Sequence, residues 1–108
     1  MSAPSCLFFF GVRFEVERTE LALLEAKTHP LMLKAHEAGL GHYWHDFGTS
    51  EDRYYLFVGR KLAVIGVEGE LGARFDADKL LDEAEEIGAK LKQADLPGDP
   101  TFWLRWQP

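Results

Sequence analysis

Hydrophobic and polar residues alternate near the start of the chain. Between Leu7 and Glu17 every second residue is apolar, in the series Phe8, Phe10, Val12, Phe14 and Val16. A period of two residues predicts a half-buried β-strand. We therefore expect a first strand over 7–17.

A helix interrupted by a proline follows this strand. Thr19 is a suitable N-cap for a helix that begins at Glu20. Because a proline inside a helix costs about 3 kcal/mol, Pro30 predicts a break just before it. A second helical segment is expected from Pro30 to Ala38, where glycines end it.

The middle of the chain has the composition of strands. The aromatic-rich stretch from His42 to Phe47 suits a strand, and so do the apolar runs 54–58 and 62–67. Gly59 and Arg60 lie between these runs and predict a two-residue hairpin turn. One long strand bent at Gly59 is the alternative.

The clearest helical pattern lies in the second half of the chain. Asp76 or Asp78 caps this helix, and its apolar stripe consists of Leu80, Ala84, Ile87 and Leu91. Alternating residues over Thr101–Gln107 then predict a last strand.

This order of elements predicts one domain over residues 1–108. Two split strand–helix–strand units favour an α+β fold, a ferredoxin-like sandwich. In that fold an antiparallel sheet of four or five strands carries two helices on one face, the first of them broken at Pro30.

The predicted sheet is apolar on both faces. Two helices cover only one face, so the other face of a solvated monomer should be polar. Large apolar side chains nevertheless fall on that second face, among them Leu7, Phe9 and Trp103. The middle strand is apolar on both of its faces, with Leu56 and Val58 on one side and Tyr55 and Phe57 on the other. We expect a second copy of the chain, another protein or a ligand to cover it. The alternative is that the sheet curls and buries these additional apolar side chains in a single core.

Composition narrows the class of partner. The 108 residues are 46% hydrophobic and 28% charged, with a net charge of −6. Eight acids and only two bases lie between Glu68 and Glu86, and no cluster of Lys and Arg occurs, so we expect no nucleic-acid partner. No apolar run is long enough for a membrane helix, and the single cysteine, Cys6, favours a cytoplasmic protein.

The segment from His42 to Asp46 has the highest density of side chains that could bind a ligand or take part in catalysis. A cleft lined by His42, Trp44 and Asp46, or by Tyr43 and His45, is the first candidate for a site. Trp103 and Arg105 could complete it from the last strand, because a guanidinium binds carboxylates with a fork of donors. Ordinary aromatic packing of an edge strand is the competing explanation.

No catalytic or metal-binding motif supports an enzyme. On a strand His42 and Asp46 lie about 13 Å apart, too far to bind one ion, so we expect no metal. No serine lies in a strained turn, Cys6 has no adjacent base, and no cofactor-binding motif occurs, so no cofactor is expected.

Two functional hypotheses remain. The first is a small non-enzymatic protein-interaction module, an inhibitor, immunity-type or regulatory protein. It would use the apolar sheet face and the acidic helix, with the acids Asp82, Glu83, Glu85 and Glu86 facing a basic partner. The second is a dimeric ferredoxin-like enzyme or small-ligand-binding protein that uses the segment from His42 to Asp46.

Overall fold

Strands and helices alternate in the computed structural model, which describes residues 4–46 and 53–107. A single 3₁₀ turn over Arg18–Glu20 joins the first strand to the first helix. The elements are β1 (Ser5–Glu17), α1 (Leu21–Glu25), α2 (Pro30–Glu37), β2 (Gly41–Asp46), β3 (Arg53–Gly66), α3 (Ala77–Gln93) and β4 (Thr101–Gln107). Phe47, with which the predicted second strand ended, lies outside the described residues.

The strands form one open, antiparallel sheet in the order β2-β3-β1-β4. The described part of the chain therefore has the expected α+β fold with four strands, and its strand order is compatible with a ferredoxin-like fold. None of the described helices is long and apolar enough to cross a membrane.

The predicted hairpin at Gly59 and Arg60 is wrong. The two apolar runs belong to one strand, β3, which has 14 residues and pairs with β1 along its whole length. β1 has 13 residues, so it offers partners on both sides of Gly59 and no reversal of the chain is needed. A register shift between Phe8 and Phe9 marks a bulge beyond the glycine.

The first helix breaks where Pro30 predicts. Pro30 occupies the first turn of α2, and the side chain of His29 caps that helix by accepting a hydrogen bond from the backbone N–H of Leu31 at 3.1 Å. Thr19 does not act as the predicted cap, because it lies inside the 3₁₀ turn. Asp76 occupies the N-cap position of α3, although its side chain makes no capping hydrogen bond.

The helices pack on one side of the sheet, which we call the helix face; the other side is the open face. Alternate residues of β1 and β3 meet the helices in a buried core, formed chiefly by Val12, Val16, Leu24, Met32, Leu56, Val58, Ile87 and Leu91. A second, separate cluster of buried residues, Leu7, Phe9 and Phe57, lies on the open face.

Candidate functional site

Phe57 is the centre of an aromatic cluster on the open face. Its side chain is only 1% exposed, although no helix covers it. Five rings lie with their centroids 5.3 to 6.4 Å from its own: those of Phe9, Tyr43, His45, Tyr55 and Trp103. The apolar side chains at the centre of this face are therefore buried within the chain itself, because the rings bury one another.

Two residues from opposite edges of the sheet meet above Phe57. Nη2 of Arg105, on β4, donates a hydrogen bond to Nε2 of His45, on β2, at 2.7 Å. β2 and β4 are three strand spacings apart, about 14 Å in a flat sheet. The imidazole stacks on Phe57 with an interplanar angle of 18°, and the guanidinium carbon of Arg105 lies 5.7 Å from the same ring.

A second arginine covers the neighbouring rings. The guanidinium carbon of Arg13 lies 4.2 Å from the ring centroid of Tyr55 and 5.0 Å from that of Trp103. Both distances are typical of cation–π contacts. The two arginines thus shield apolar surface, and Arg13 remains exposed to water while it does so.

A row of glycines crosses the sheet beside this cluster, where β1 and β3 approach each other closely. Gly41, Gly59 and Gly11 pair in one row across β2, β3 and β1. A Cβ atom on Gly59 would overlap the carbonyl oxygen of Phe10, so the strands approach too closely here for any other residue. The indole Nε1 of Trp103 donates to the carbonyl oxygen of Gly11 at 3.2 Å.

A cavity of about 500 Å³ lies on the same part of the sheet. Its apolar lining comes from Leu7, Phe9 and Val64, and its polar lining from His42, Tyr43, Lys61 and Gln107, together with Gly41. Arg105 pairs with Leu7 in the β1–β4 register, and its Nε atom is buried without a hydrogen-bond partner among the described residues. The cavity therefore combines an apolar floor with a few polar groups.

The structure divides the candidate site residues between the two faces. His45, Trp103 and Arg105 come together on the open face. Trp44 instead packs against the helix-face core and contacts Tyr54 edge-on, with the ring centroids 5.9 Å apart. Asp46 is the last residue of β2, and its side chain lies outside the described part of the structure.

His42, on β2, lies near Lys27, which follows α1 in the chain. Partial burial, and then the positive charge of Lys27, lower the pKa of His42 below its ordinary value of 6.5. The imidazole is therefore neutral at pH 7 and able to accept a hydrogen bond.

The acidic face of α3 is partly neutralised by the sheet. Nη1 of Arg60 on β3 lies 3.0 Å from Oε2 of Glu83 and 3.1 Å from Oε2 of Glu86. The hydrogen bond that Arg60 donates lowers the pKa of Glu86, and the hydrogen bonds that Arg60 donates to Glu86 and Glu83 raise the pKa of Arg60. Asp82 and Glu85 are exposed on the same helix.

A further feature escaped the sequence analysis. Beyond the helices, the helix face continues as an uncovered region that we call the apolar end, formed by Phe8, Ile65, Val67, Leu71, Phe75, Phe102, Leu104 and Trp106. Leu71 is 79% exposed, Leu104 72% and Trp106 64%. A hollow of about 270 Å³ is lined in part by Phe75 and Leu104, and one of about 380 Å³ by Leu71 and Trp106. The signal was present in the alternation of β4, but the sequence did not show that α3 stops short of these residues.

The described residues include no group of three or more His, Cys, Asp or Glu side chains placed to hold a metal ion. Cys6 is a free, half-buried thiol. The aromatic cluster and the apolar end are thus the two features with the chemistry of a contact site. A comparison of the chain with known protein families, curated proteins and solved structures finds no match.

Proposed function

We propose that this protein is a non-enzymatic interaction module that binds another polypeptide through its apolar end. The observation that carries the proposal is the exposure of large apolar side chains, with Leu71, Leu104 and Trp106 each more than half exposed. Contiguous apolar patches of this kind mark contact surfaces in proteins that otherwise stay in solution.

We prefer the apolar end to the open face as the binding surface because its apolar side chains are more exposed. On the open face Leu7, Phe9 and Phe57 are each no more than 2% exposed, so little apolar area remains for a partner there. The exposed side chains of the apolar end forgo a burial worth about 1.5–3 kcal/mol each. An inhibitor, immunity-type or regulatory role fits such a surface. We also propose that the protein acts in the cytoplasm. We further propose that the sheet and helices form a ferredoxin-like sandwich.

The acidic helix plays the smaller part in this proposal. Glu83 and Glu86 already bind Arg60, so a basic partner would have to compete for them. Asp82 and Glu85 keep the attraction for such a partner, at long range and in a salt-dependent way. The double variant D82K/E85K tests this contribution while leaving the contacts of Arg60 in place.

Photo-crosslinking in cells tests the proposed function. A benzophenone amino acid replaces Leu104 in one variant and, as the matched control, Leu81 in another; Leu81 is 61% exposed on α3, away from the apolar end. We expect a discrete crosslinked polypeptide from position 104 and none from position 81. The absence of any crosslink from position 104, with the protein folded, would overturn the proposal.

Binding of a small molecule is the second candidate function, favoured by the cavity on the open face. Its volume of about 500 Å³ lies within the range of about 300–1,000 Å³ that is typical of ligand sites. Lys61 beside an apolar floor suits a carboxylate with an aliphatic chain. We expect octanoate, but not octanol, to shift the NMR signals of Leu7 and Val64 in a way that K61M weakens. Equal behaviour of both probes, or none, would contradict this function.

A further inference from the structure

We propose that the partner at the apolar end is a second copy of this chain, joined by antiparallel pairing of β4 with β4 of that copy. The inference rests on the proposed function and identifies the polypeptide that binds the apolar end. β4 is an edge strand of the open sheet and pairs only with β1 among the described strands.

β4 lacks the usual protection of an edge strand. In most proteins, charged side chains, especially lysine, or a proline prevent an exposed edge strand from pairing with another chain. Thr101–Gln107 contains no proline and no lysine, and its one charged side chain, Arg105, turns to the open face to bind His45. The other edge strand, β2, carries His42, His45 and Asp46 instead.

The sequence of β4 is self-complementary about its centre. The antiparallel register that pairs all seven residues places Leu104 opposite Leu104 of the second copy. Phe102 then lies opposite Trp106 on the helix face, and Trp103 lies opposite Arg105 on the open face. Such cross-strand pairs of apolar or aromatic residues stabilise a sheet, and none of these pairs opposes like charges.

The exposed apolar area approaches that of a standard dimer interface. Leu71 shares a hollow with Trp106, and Phe75 shares one with Leu104, so the loop extends the apolar row of β4. The most exposed large side chains of this region are Val67, Leu71, Phe75, Phe102, Leu104 and Trp106, at 40–79%. Taking roughly 200 Å² for each, they present on the order of 700 Å² per copy. A standard interface buries about 800 Å² per partner.

Charge also favours a copy of this chain over a basic partner. Every residue that lines the two hollows is uncharged, whereas the protein as a whole carries a net charge of −6. The hollows themselves therefore offer a basic protein no attraction, and the acids nearest to them in the sequence, Glu68 and Glu70, are exposed in the loop that carries Leu71. A two-fold contact between identical surfaces is also the commonest form of assembly.

Sedimentation of the purified protein tests the inference first. We expect a mass of twice 12.3 kDa at micromolar concentration. L104E/W106E should sediment at 12.3 kDa, because it places four carboxylates in the paired strands. The control L33E/L81E makes the same charge change at exposed helix positions and should remain dimeric.

Disulfide trapping then tests the register. In a C6A background, L104C should form an intermolecular disulfide, because directly opposed residues lie within disulfide reach. T101C is the control: the proposed register places its two copies about 20 Å apart along the strands, so it should not crosslink.

The outcomes separate the inference from the proposed function. A wild-type mass of 12.3 kDa at all concentrations overturns the inference. In that case the proposed function survives if position 104 crosslinks to a different polypeptide in cells. The proposed function fails as well if position 104 crosslinks to no polypeptide. A dimer that L104E/W106E does not dissociate, or that L104C does not trap, also overturns the inference, because the contact then lies elsewhere.

Discussion

Nη2 of Arg105 lies 2.7 Å from Nε2 of His45, so the two edge strands of a four-stranded sheet are joined by their side chains above Phe57. Arginine only donates hydrogen bonds, so Nε2 of His45 is the acceptor of this one. The contact closes the open face without a helix. The apolar end remains exposed, and it is the surface that we propose a partner covers.

A double-mutant cycle measures this contact. R105M keeps the apolar stem of Arg105, and H45F keeps a ring on Phe57. We expect a coupling free energy of about 0.5–1.5 kcal/mol between the two changes in urea unfolding, because both remove the same hydrogen bond. Additivity of the two single variants would show that the contact does not stabilise the fold.

Phe57 should behave as a core residue despite its position. F57A removes a ring that is 1% exposed and is expected to lower the free energy of unfolding by about 3–5 kcal/mol. L81A, at a residue 61% exposed on α3, should change it by no more than about 0.5 kcal/mol. Comparable effects of the two substitutions would mean that the aromatic cluster is not packed as described.

Two glycines should respond to alanine with opposite signs. In G59A the new Cβ overlaps the carbonyl oxygen of Phe10, and we expect a loss of about 3 kcal/mol or more in the free energy of unfolding. Gly88 lies inside α3 with nothing within 4 Å of an added Cβ, so G88A should gain up to about 1 kcal/mol from helix propensity. A stable G59A protein would contradict the close approach of β1 and β3.

The protonation of His42 provides a pH-dependent prediction. Its pKa is lowered in the folded protein, so below about pH 6.5 the unfolded chain binds more protons at this residue than the folded one. The contribution of His42 to stability therefore decreases as the pH falls from about 6.5 towards its lower folded pKa. NMR titration of the imidazole should give a pKa below 6.5 that rises in K27M. A pKa at or above 6.5 in the wild type would contradict the burial and charge described.

Sequence patterns predicted the elements that depend on local periodicity. The alternation in β1 and β4 and the apolar stripe of α3 gave these elements nearly their observed bounds. The continuity of β3 through Gly59 was missed as a first choice, because it depends on a pairing partner 48 positions away, Gly11. Local turn chemistry carries no information about such a partner.

The candidate site was predicted only in part, for a similar reason. The grouping of His45 with Trp103 and Arg105 followed from the alternation of side chains in the strands, although the hydrogen bond itself depends on how far Arg105 reaches. The burial of Phe57 and the exposure of Leu104 depend on where arginine stems and helix ends lie in space. The periodicity of the chain predicts neither the burial of Phe57 nor the exposure of Leu104.

Amide hydrogen exchange in β4 tests the central claim most directly, because edge pairing must protect the backbone of that strand. We expect exchange of those amides of Thr101–Gln107 that do not hydrogen-bond to β1 to slow as the concentration of purified wild-type protein rises, and to stay fast in L104E/W106E. Exchange that is the same at every concentration and the same in both proteins would show that β4 remains a free edge, and would contradict the account.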